Sequence, residues 1–94
     1  MVEFEGEGYQ IIEEWTFSEA IENGLEIDVK QAYEALGILL YALQRNPEAF
    51  PVAHGHVRIA HIEERPVDDL PPFRLFFRVS QHNKDVYLLF VDHG

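Results

Sequence analysis

Five side chains near the end of the chain have the types that RNA chemistry requires. Arg74, Phe76 and Arg78 alternate with apolar residues, Tyr87 follows a short polar stretch, and His93 is the penultimate residue. Cationic side chains hold phosphates, aromatic rings stack on unpaired bases, and imidazole or phenol groups transfer protons. The set suits an RNA ligand if all five lie on one face of a sheet. A solvated sheet face without any ligand remains an equally open interpretation.

The alignment of these residues depends on a predicted C-terminal hairpin. Residues 73–79 alternate between an apolar face and a face that carries the arginines, which is typical of a strand. Residues 86–92 are predicted as a second strand, with Val86, Leu88 and Phe90 on one face and Tyr87, Leu89 and Val91 on the other. A four-residue loop over 82–85 would create three cross-strand pairs: Gln81 with Val86, Phe77 with Phe90, and Arg74 with His93. In this register the five side chains share the face opposite the helix-packed one.

A long helix must support this hairpin. It begins at Asp28, where Gln31 three residues later forms a capping-box pattern, and it ends before Asn46 and Pro47. Apolar residues between these points recur at i, i+3 and i+4 spacing. One side of the helix must therefore be buried, and a sheet is the partner of matching size.

The remaining elements complete an α+β pattern. Tyr9–Phe17 alternates as a first strand, and Ser18 is placed to cap a short helix, Glu19–Asn23, that Gly24 ends. A further strand, Val57–Glu63, would have two faces: Val57, Ile59 and His61 on one, and Arg58, Ala60 and Ile62 on the other. We predict one domain over residues 1–94, with a helical hairpin packed on a small antiparallel sheet, a C-terminal β-hairpin, and residues 1–8 as a loose leader.

The histidines raise the question of a metal site. His54 and His56 flank Gly55, and His61 lies five residues beyond His56. Imidazole is a common zinc ligand, but two histidines in an i, i+2 loop more often belong to a solvated turn. A phosphate loop and a dinucleotide fingerprint are both absent from the sequence. The sequence therefore predicts no metal and no other cofactor.

Charge is distributed unevenly along the chain. The formal net charge is −10, yet residues 1–35 hold ten acidic residues and one basic residue, while residues 36–94 hold seven and six. Because lysine and arginine drive phosphate binding, a nucleic acid would have to bind the C-terminal part. The acidic N-terminal third would instead suit a basic protein partner. With no cysteine and no uncharged run long enough to cross a bilayer, we expect a cytoplasmic protein without a membrane partner.

The order of the elements and three short stretches resemble the RelE/ParE toxin superfamily. The stretches are Asn46–Pro51, Pro72–Val79 and Val86–His93, and the likeness covers most of the chain from Tyr9 onward. The resemblance implies the toxin component of a type II toxin–antitoxin system, neutralised by a cognate antitoxin protein. It further implies either a metal-free endoribonuclease that cuts mRNA at the ribosome or a gyrase inhibitor.

The resemblance also assigns roles to individual residues. Carried over by position, it implies catalytic roles for three residues: Arg74, Arg78 and His93. It implies that Arg58, on the preceding strand, assists them in contacting nucleic acid, and the hairpin face described above adds Phe76 and Tyr87 as further nucleic-acid contacts. A noncatalytic protein-interaction module on the same fold, binding a basic partner, remains the alternative, and a homodimer is compatible with either function.

Overall fold

The computed structural model describes residues 8–64, 66 and 70–94, so almost all of the expected leader lies outside the described residues. Five strands are present: β1 (Gln10–Glu13), β2 (Val52–His54), β3 (Val57–Ile62), β4 (Phe73–Ser80) and β5 (Asp85–His93). The helical elements are α1 (Trp15–Glu19), a π turn (Ala20–Gly24), α2 (Val29–Arg45) and a 3₁₀ turn (Pro47–Ala49). The predicted α+β class with a C-terminal hairpin is confirmed.

The five strands form one mixed sheet in the order β1-β5-β4-β3-β2. β1 pairs with β5 in parallel, and the other three pairings are antiparallel. α1, the π turn and α2 pack on one side, which we call the helix face, and we call the opposite side the outer face. The antiparallel sheet expected from the sequence thus gains a parallel edge strand, because the helices carry the chain from β1 at one edge of the sheet to β2 at the other, and β5 then returns beside β1.

The apolar core fills the space between the helices and the helix face. Its buried members come from α1, the π turn, α2, β3, β4, β5 and the loops beside them: Phe17, Ala20, Ile21, Leu25, Ala32, Leu36, Leu43, Ala60, Ile62, Leu70, Phe73, Leu75, Phe77, Val86, Leu88 and Val91. Burial of such side chains is the main favourable contribution to folding. On β3 the predicted split of faces is confirmed, since Ala60 and Ile62 are buried and His61 is exposed.

α2 forms where the sequence predicts it. The Asp28 side chain accepts a hydrogen bond of 3.1 Å from the backbone N–H of Gln31, as an N-cap residue should. The helix ends at Arg45, one residue before Asn46 and two before Pro47, because proline has no amide hydrogen to continue the helix. None of the helices in the described ranges is long and apolar enough to cross a membrane.

The region around Trp15 differs from the prediction. The expected strand Tyr9–Phe17 stops at Glu13, and a helix starts at Trp15 instead of after Ser18. The alternation was misleading here because Trp15 is 75% exposed while Phe17 is fully buried, so the two cannot continue a half-buried strand. The Ser18 hydroxyl contacts the Glu13 carboxylate at 3.4 Å and caps no helix.

The hairpin register also differs from the prediction. Residues Gln81 to Lys84 form the turn, so Ser80 pairs with Asp85 and Phe77 with Leu88. Leu89 is then an extra residue, a β-bulge, and beyond it there are two further pairs of interest: Phe76 with Phe90, and Phe73 with His93. A bulge reverses the alternation of the strand that carries it.

The bulge changes which residues of β5 are buried. Before it, Val86 and Leu88 face the core; after it, Val91 faces the core at 1% exposure, while Phe90 is 46% exposed. The sequence-based prediction that Phe90 shares a face with Val86 and Leu88 is therefore wrong. The predicted pairs Gln81–Val86, Phe77–Phe90 and Arg74–His93 are wrong for the same reason and because the turn lies one residue earlier.

Candidate functional site

The outer face carries the candidate site. Cross-strand pairs place nine residues of three strands on it: Val57, Ile59 and His61 of β3, Arg74, Phe76 and Arg78 of β4, and Tyr87, Phe90 and Asp92 of β5. Residues directly opposite each other in an antiparallel pair project to the same side of the sheet. Four of the five side chains that the sequence singles out, Arg74, Phe76, Arg78 and Tyr87, are therefore brought together.

Arg78 is the accessible cation of this surface. It pairs across the strands with Tyr87, and its guanidinium carbon lies 4.4 Å from the centre of the Tyr87 ring. This distance is within the range of a cation–π contact, which holds the side chain in place without neutralising its charge. Arg78 is exposed, so its N–H groups are open to an anionic ligand.

Tyr87 is oriented by a second contact. Its hydroxyl donates a 3.2 Å hydrogen bond to the Asp85 carboxylate. This hydrogen bond is the largest cause of a raised pKa for Tyr87, with burial and the Asp85 charge acting in the same direction and the Arg78 charge opposing them. The phenol therefore stays protonated at neutral pH and acts as a hydrogen-bond donor.

Arg74 is already engaged by a carboxylate. Its Nε and Nη2 atoms donate to the two oxygens of Asp92 at 2.8 and 2.7 Å, a bidentate pair between opposing residues of β4 and β5. The guanidinium carbon also lies 5.4 Å from the centre of the Phe76 ring. A bidentate arrangement fixes the guanidinium plane, but any phosphate must compete with Asp92 for it.

Two phenylalanines form the apolar part of the surface. Phe76 and Phe90 oppose each other, with ring centroids 6.5 Å apart and planes tilted by 41°. Ile59 is the partner of Phe76 on the other side. An exposed ring beside arginines is an arrangement on which unpaired bases stack, and it also suits an apolar protein side chain.

His93 does not belong to this group. It pairs with the buried Phe73, so it lies on the helix face at the end of β5. There it lines an open depression with residues of the loop before α2, including Leu25 and Ile27. The prediction that His93 shares a face with Arg74 is wrong because the Leu89 bulge reverses the alternation before His93 is reached.

Arg58 is also on the helix face. It pairs with Phe77, and its Nη1 atom donates to the backbone oxygen of Phe50 at 2.6 Å, with a longer 3.4 Å contact to the Glu48 oxygen. This arginine holds the segment after α2 against the sheet. It is separated by the sheet from Arg74 and Arg78, so the prediction that it assists them in contacting a nucleic acid is not supported by its position.

His61 is the imidazole that the outer face does contain. It is exposed and lies directly opposite Arg74. The alternation of β3 predicts it on one face with Val57 and Ile59, and its spacing from His54 and His56 raised only the question of a metal site. Only the register between β3 and β4 shows that His61 lies beside Arg74. Within the described ranges, no group of three or more His, Asp, Glu or Cys side chains is arranged to hold a metal ion.

Comparisons with known proteins come from structure and not from sequence. No family model matches the chain, and no curated protein matches it. Among solved structures, the RelBE2 toxin-antitoxin complex from Mycobacterium tuberculosis superposes with a TM-score of 0.67 at 16% identity, over 93% of this chain and 99% of that one. The conserved hypothetical protein HP0892 from Helicobacter pylori superposes with a TM-score of 0.52 at 16% identity, over 92% and 94%.

At these identities the likeness concerns the course of the backbone. It extends over nearly the whole of both matched chains, so it includes the helices, the mixed sheet and the C-terminal hairpin that forms the outer face. The chain shares its fold with the chain that it matches in the RelBE2 toxin-antitoxin complex.

Proposed function

We propose that this chain is the toxin component of a type II toxin–antitoxin pair and that it cleaves RNA without a metal ion. The observation that carries the proposal is the grouping of His61, Arg74, Arg78 and Tyr87 beside exposed phenylalanine on the outer face. A base, two cations and a hydroxyl donor are the groups that transfer of an RNA phosphate needs. The fold shared with the RelBE2 toxin-antitoxin complex supports an antitoxin as the protein partner.

The proposed reaction is an internal transfer at one phosphate. The 2′-oxygen of the RNA attacks the adjacent phosphorus while His61 accepts the proton of the 2′-hydroxyl. The bond from phosphorus to the 5′-oxygen breaks, and that oxygen takes a proton from water. The products are a 2′,3′-cyclic phosphate and a free 5′-hydroxyl, and Arg74, which lies directly opposite His61, stabilises the negative charge that develops on the phosphate.

Arg78 has a different proposed task. It lies four residues from Arg74 on β4, about 13 Å along the strand, where it holds a neighbouring phosphate of the RNA beside the Tyr87 ring. The pairing of Arg74 with Asp92 fixes its guanidinium beside Phe76, on which a nucleotide stacks. We assign no role to His93 in the reaction, because it lies on the helix face. Arg58 likewise holds backbone oxygens on that face.

A second candidate is binding without catalysis, either to gyrase or to another protein. The Arg74–Asp92 pair favours it, because a partly neutralised arginine surrounded by apolar side chains resembles a protein interface as closely as an RNA surface. The acidic excess of residues 1–35 also favours a basic protein partner.

The deciding experiment measures RNA cleavage and growth with the same variants. Purified protein is incubated with single-stranded RNA in excess EDTA, and the ends are analysed for 2′,3′-cyclic phosphate. We expect cleavage by the wild type, losses of at least ~100-fold for His61→Ala and Arg74→Ala, and a smaller loss for Arg78→Ala. His93→Ala and Lys30→Ala are matched controls, because both residues are exposed and neither lies on the outer face.

Growth of bacteria after induction separates the two candidates. Arrest by the wild type together with EDTA-resistant cleavage supports the ribonuclease. Arrest without cleavage of any RNA would favour the protein-binding function. Normal growth with well-folded, well-expressed wild type would contradict the toxin proposal itself.

A further inference from the structure

α2 has a row of exposed side chains on the side away from the core. Ile38 is 85% exposed and Tyr41 is 60% exposed, although both are large and apolar. Successive helical residues turn by about 100°, so Glu34, Ile38, Tyr41 and Arg45 fall within an arc of roughly 60°. We call these four residues the α2 stripe. The buried residues of the helix, Ala32, Leu36 and Leu43, lie on the opposite side.

The order of the residues in the α2 stripe is self-complementary. Read from the N-terminus it is acidic, aliphatic, aromatic and basic. When a second α2 runs antiparallel about a twofold axis between residues 39 and 40, Ile38 faces the partner's Tyr41. In the same register, Glu34 faces the partner's Arg45. Each contact then occurs twice, as an isologous interface requires.

Two local features prepare the stripe for such a contact. The Nη1 atom of Arg45 donates to the Tyr41 hydroxyl at 3.0 Å, and its guanidinium lies 5.5 Å from the ring centre, so the two side chains are held together. Gly37 lies beside the stripe and is exposed, and a Cβ built there would meet no atom within 4 Å. A glycine at this point lets a second helix approach closely.

We propose that a second copy of this chain docks on the α2 stripe and forms an antiparallel, isologous dimer. The charged ends of the α2 stripe favour a second copy as the partner. Glu34 and Arg45 are about 16 Å apart along their own helix, at a rise of 1.5 Å per residue, so they cannot pair within one chain. One helix stripe buries much less than the ~800 Å² per partner of a stable interface. The dimer is therefore weak, and the protein is mainly monomeric at low micromolar concentration.

The test is sedimentation equilibrium of the full chain from about 10 µM to about 1 mM. We expect a concentration-dependent dimer that Ile38→Glu abolishes, because it places a charge at the centre of the contact. Val52→Glu is the matched control, because Val52 is an exposed apolar residue on β2. Circular dichroism of each variant checks that it remains folded. A wild type that is monomeric at ~1 mM would overturn the proposal.

Charge exchange tests the register. Glu34→Arg and Arg45→Glu should each raise the dissociation constant by at least ~10-fold, and the double variant should restore it, because the exchanged charges again face each other across the twofold axis. Failure of the double variant to recover would overturn the antiparallel arrangement.

Disulfide trapping gives an independent readout, because the chain contains no cysteine. A mixture of Ile38→Cys and Tyr41→Cys proteins should form the mixed disulfide in preference to either symmetric one. A preference for the symmetric products would contradict the proposed register.

The other occupant to be tested is the N-terminal segment of the same chain. If a chain lacking residues 2–7 dimerises where the full chain does not, that segment covers the α2 stripe, and the proposal is overturned.

Discussion

Glu26 adopts a backbone conformation that carries a cost for its residue type. Its φ angle is +57°, in the left-handed region where a Cβ approaches the following carbonyl oxygen. We expect Glu26→Gly to raise the free energy of unfolding by about 1 kcal/mol, since glycine has no Cβ. Urea denaturation measures the change. Glu26→Ala is the control for loss of the carboxylate, and a gain equal to that of the glycine variant would contradict the backbone explanation.

Tyr33 links stability to alkaline pH. Burial, followed by the charge of Glu13 and a 3.2 Å hydrogen bond to its carboxylate, raises the pKa of Tyr33 to about 12. The folded state therefore favours the protonated phenol more than the unfolded state does, whose pKa is about 10. This contribution to stability is complete below pH ~10 and is lost as the pH rises through about 12.

Comparison with Tyr33→Phe isolates that effect. The difference in unfolding free energy between wild type and variant should be constant from about pH 8 to pH 10 and should then fall, to the disadvantage of the wild type. Urea denaturation at a series of pH values measures it. A difference that stays constant to pH 12 would contradict the raised pKa.

At the scale of elements, the Leu89 bulge decides what β5 presents to each side of the sheet. The hydroxyl of Thr16 on α1 donates to the Leu89 backbone oxygen, so the helix holds the bulge in place. Thr16→Val should lower the free energy of unfolding by roughly 1–3 kcal/mol, because it leaves this partly buried oxygen without its donor. Thr16→Ser keeps the hydroxyl and should recover most of the loss; equal losses in both variants would point to the methyl group instead.

The bulge also predicts unequal tolerance of two neighbouring truncations. Val91→Ala removes buried methyl groups and should cost about 2 kcal/mol once the cavity is included. Phe90→Ala should cost less than about 1 kcal/mol, although it removes more atoms, because the side chain is 46% exposed and its loss leaves no closed cavity. Chemical denaturation of the two variants distinguishes the bulged strand from a regular one, in which the order would be reversed.

The elements differ in how far the sequence predicts them. α2, β3 and β4 follow from local signals, namely the Asp28 cap, the proline stop and strict alternation of buried residues. The bulge does not, because Leu88, Leu89, Phe90 and Val91 are all apolar and either parity gives a plausible strand. The contact that selects the correct parity comes from Thr16, which is 73 residues away in sequence.

The candidate site shows the same limit. Arg74, Phe76 and Arg78 could be placed together from β4 alone, and Tyr87 follows because it precedes the bulge. His93 was misplaced because it follows the bulge, and His61 was overlooked because its neighbourhood depends on the β3–β4 register. Local patterns thus predict which side chains share a strand face, whereas pairings between strands require the tertiary structure.

At the scale of the whole molecule, charge is the dominant feature. A net charge of −10 on 94 residues means that acidic side chains repel one another in the folded state. The excess belongs to the part of the chain that forms β1, α1 and the first turns of α2, whereas the outer face presents Arg74, Arg78 and His61. Screening by salt therefore affects stability and ligand binding in opposite directions, since it weakens the repulsion but also weakens any hold on phosphate.

Salt should accordingly stabilise this protein. The Debye length falls from about 30 Å at 0.01 M to about 8 Å at 0.15 M, and the radius of gyration is 13.3 Å, so at low salt acidic side chains on different elements still repel one another. Raising NaCl over this range should increase Tm by at least about 4 °C, the shift that about 1 kcal/mol produces in a domain of this size.

The effect of salt on Tm should depend on where an acidic residue lies in the chain, because most of the net negative charge belongs to residues 1–35. Glu22→Gln, in the acidic third, should raise Tm at low salt and have little effect at 0.15 M, where the repulsion it relieves is already screened. Glu63→Gln, in the nearly neutral remainder, should raise Tm less at low salt; both side chains are exposed, so packing is unchanged. Scanning calorimetry at the two salt concentrations measures both. A Tm that falls with salt would instead mean that ion pairs such as Arg74–Asp92 stabilise the fold more than the acidic residues destabilise it. The charge of residues 1–35 would then be a weaker argument for a basic protein partner.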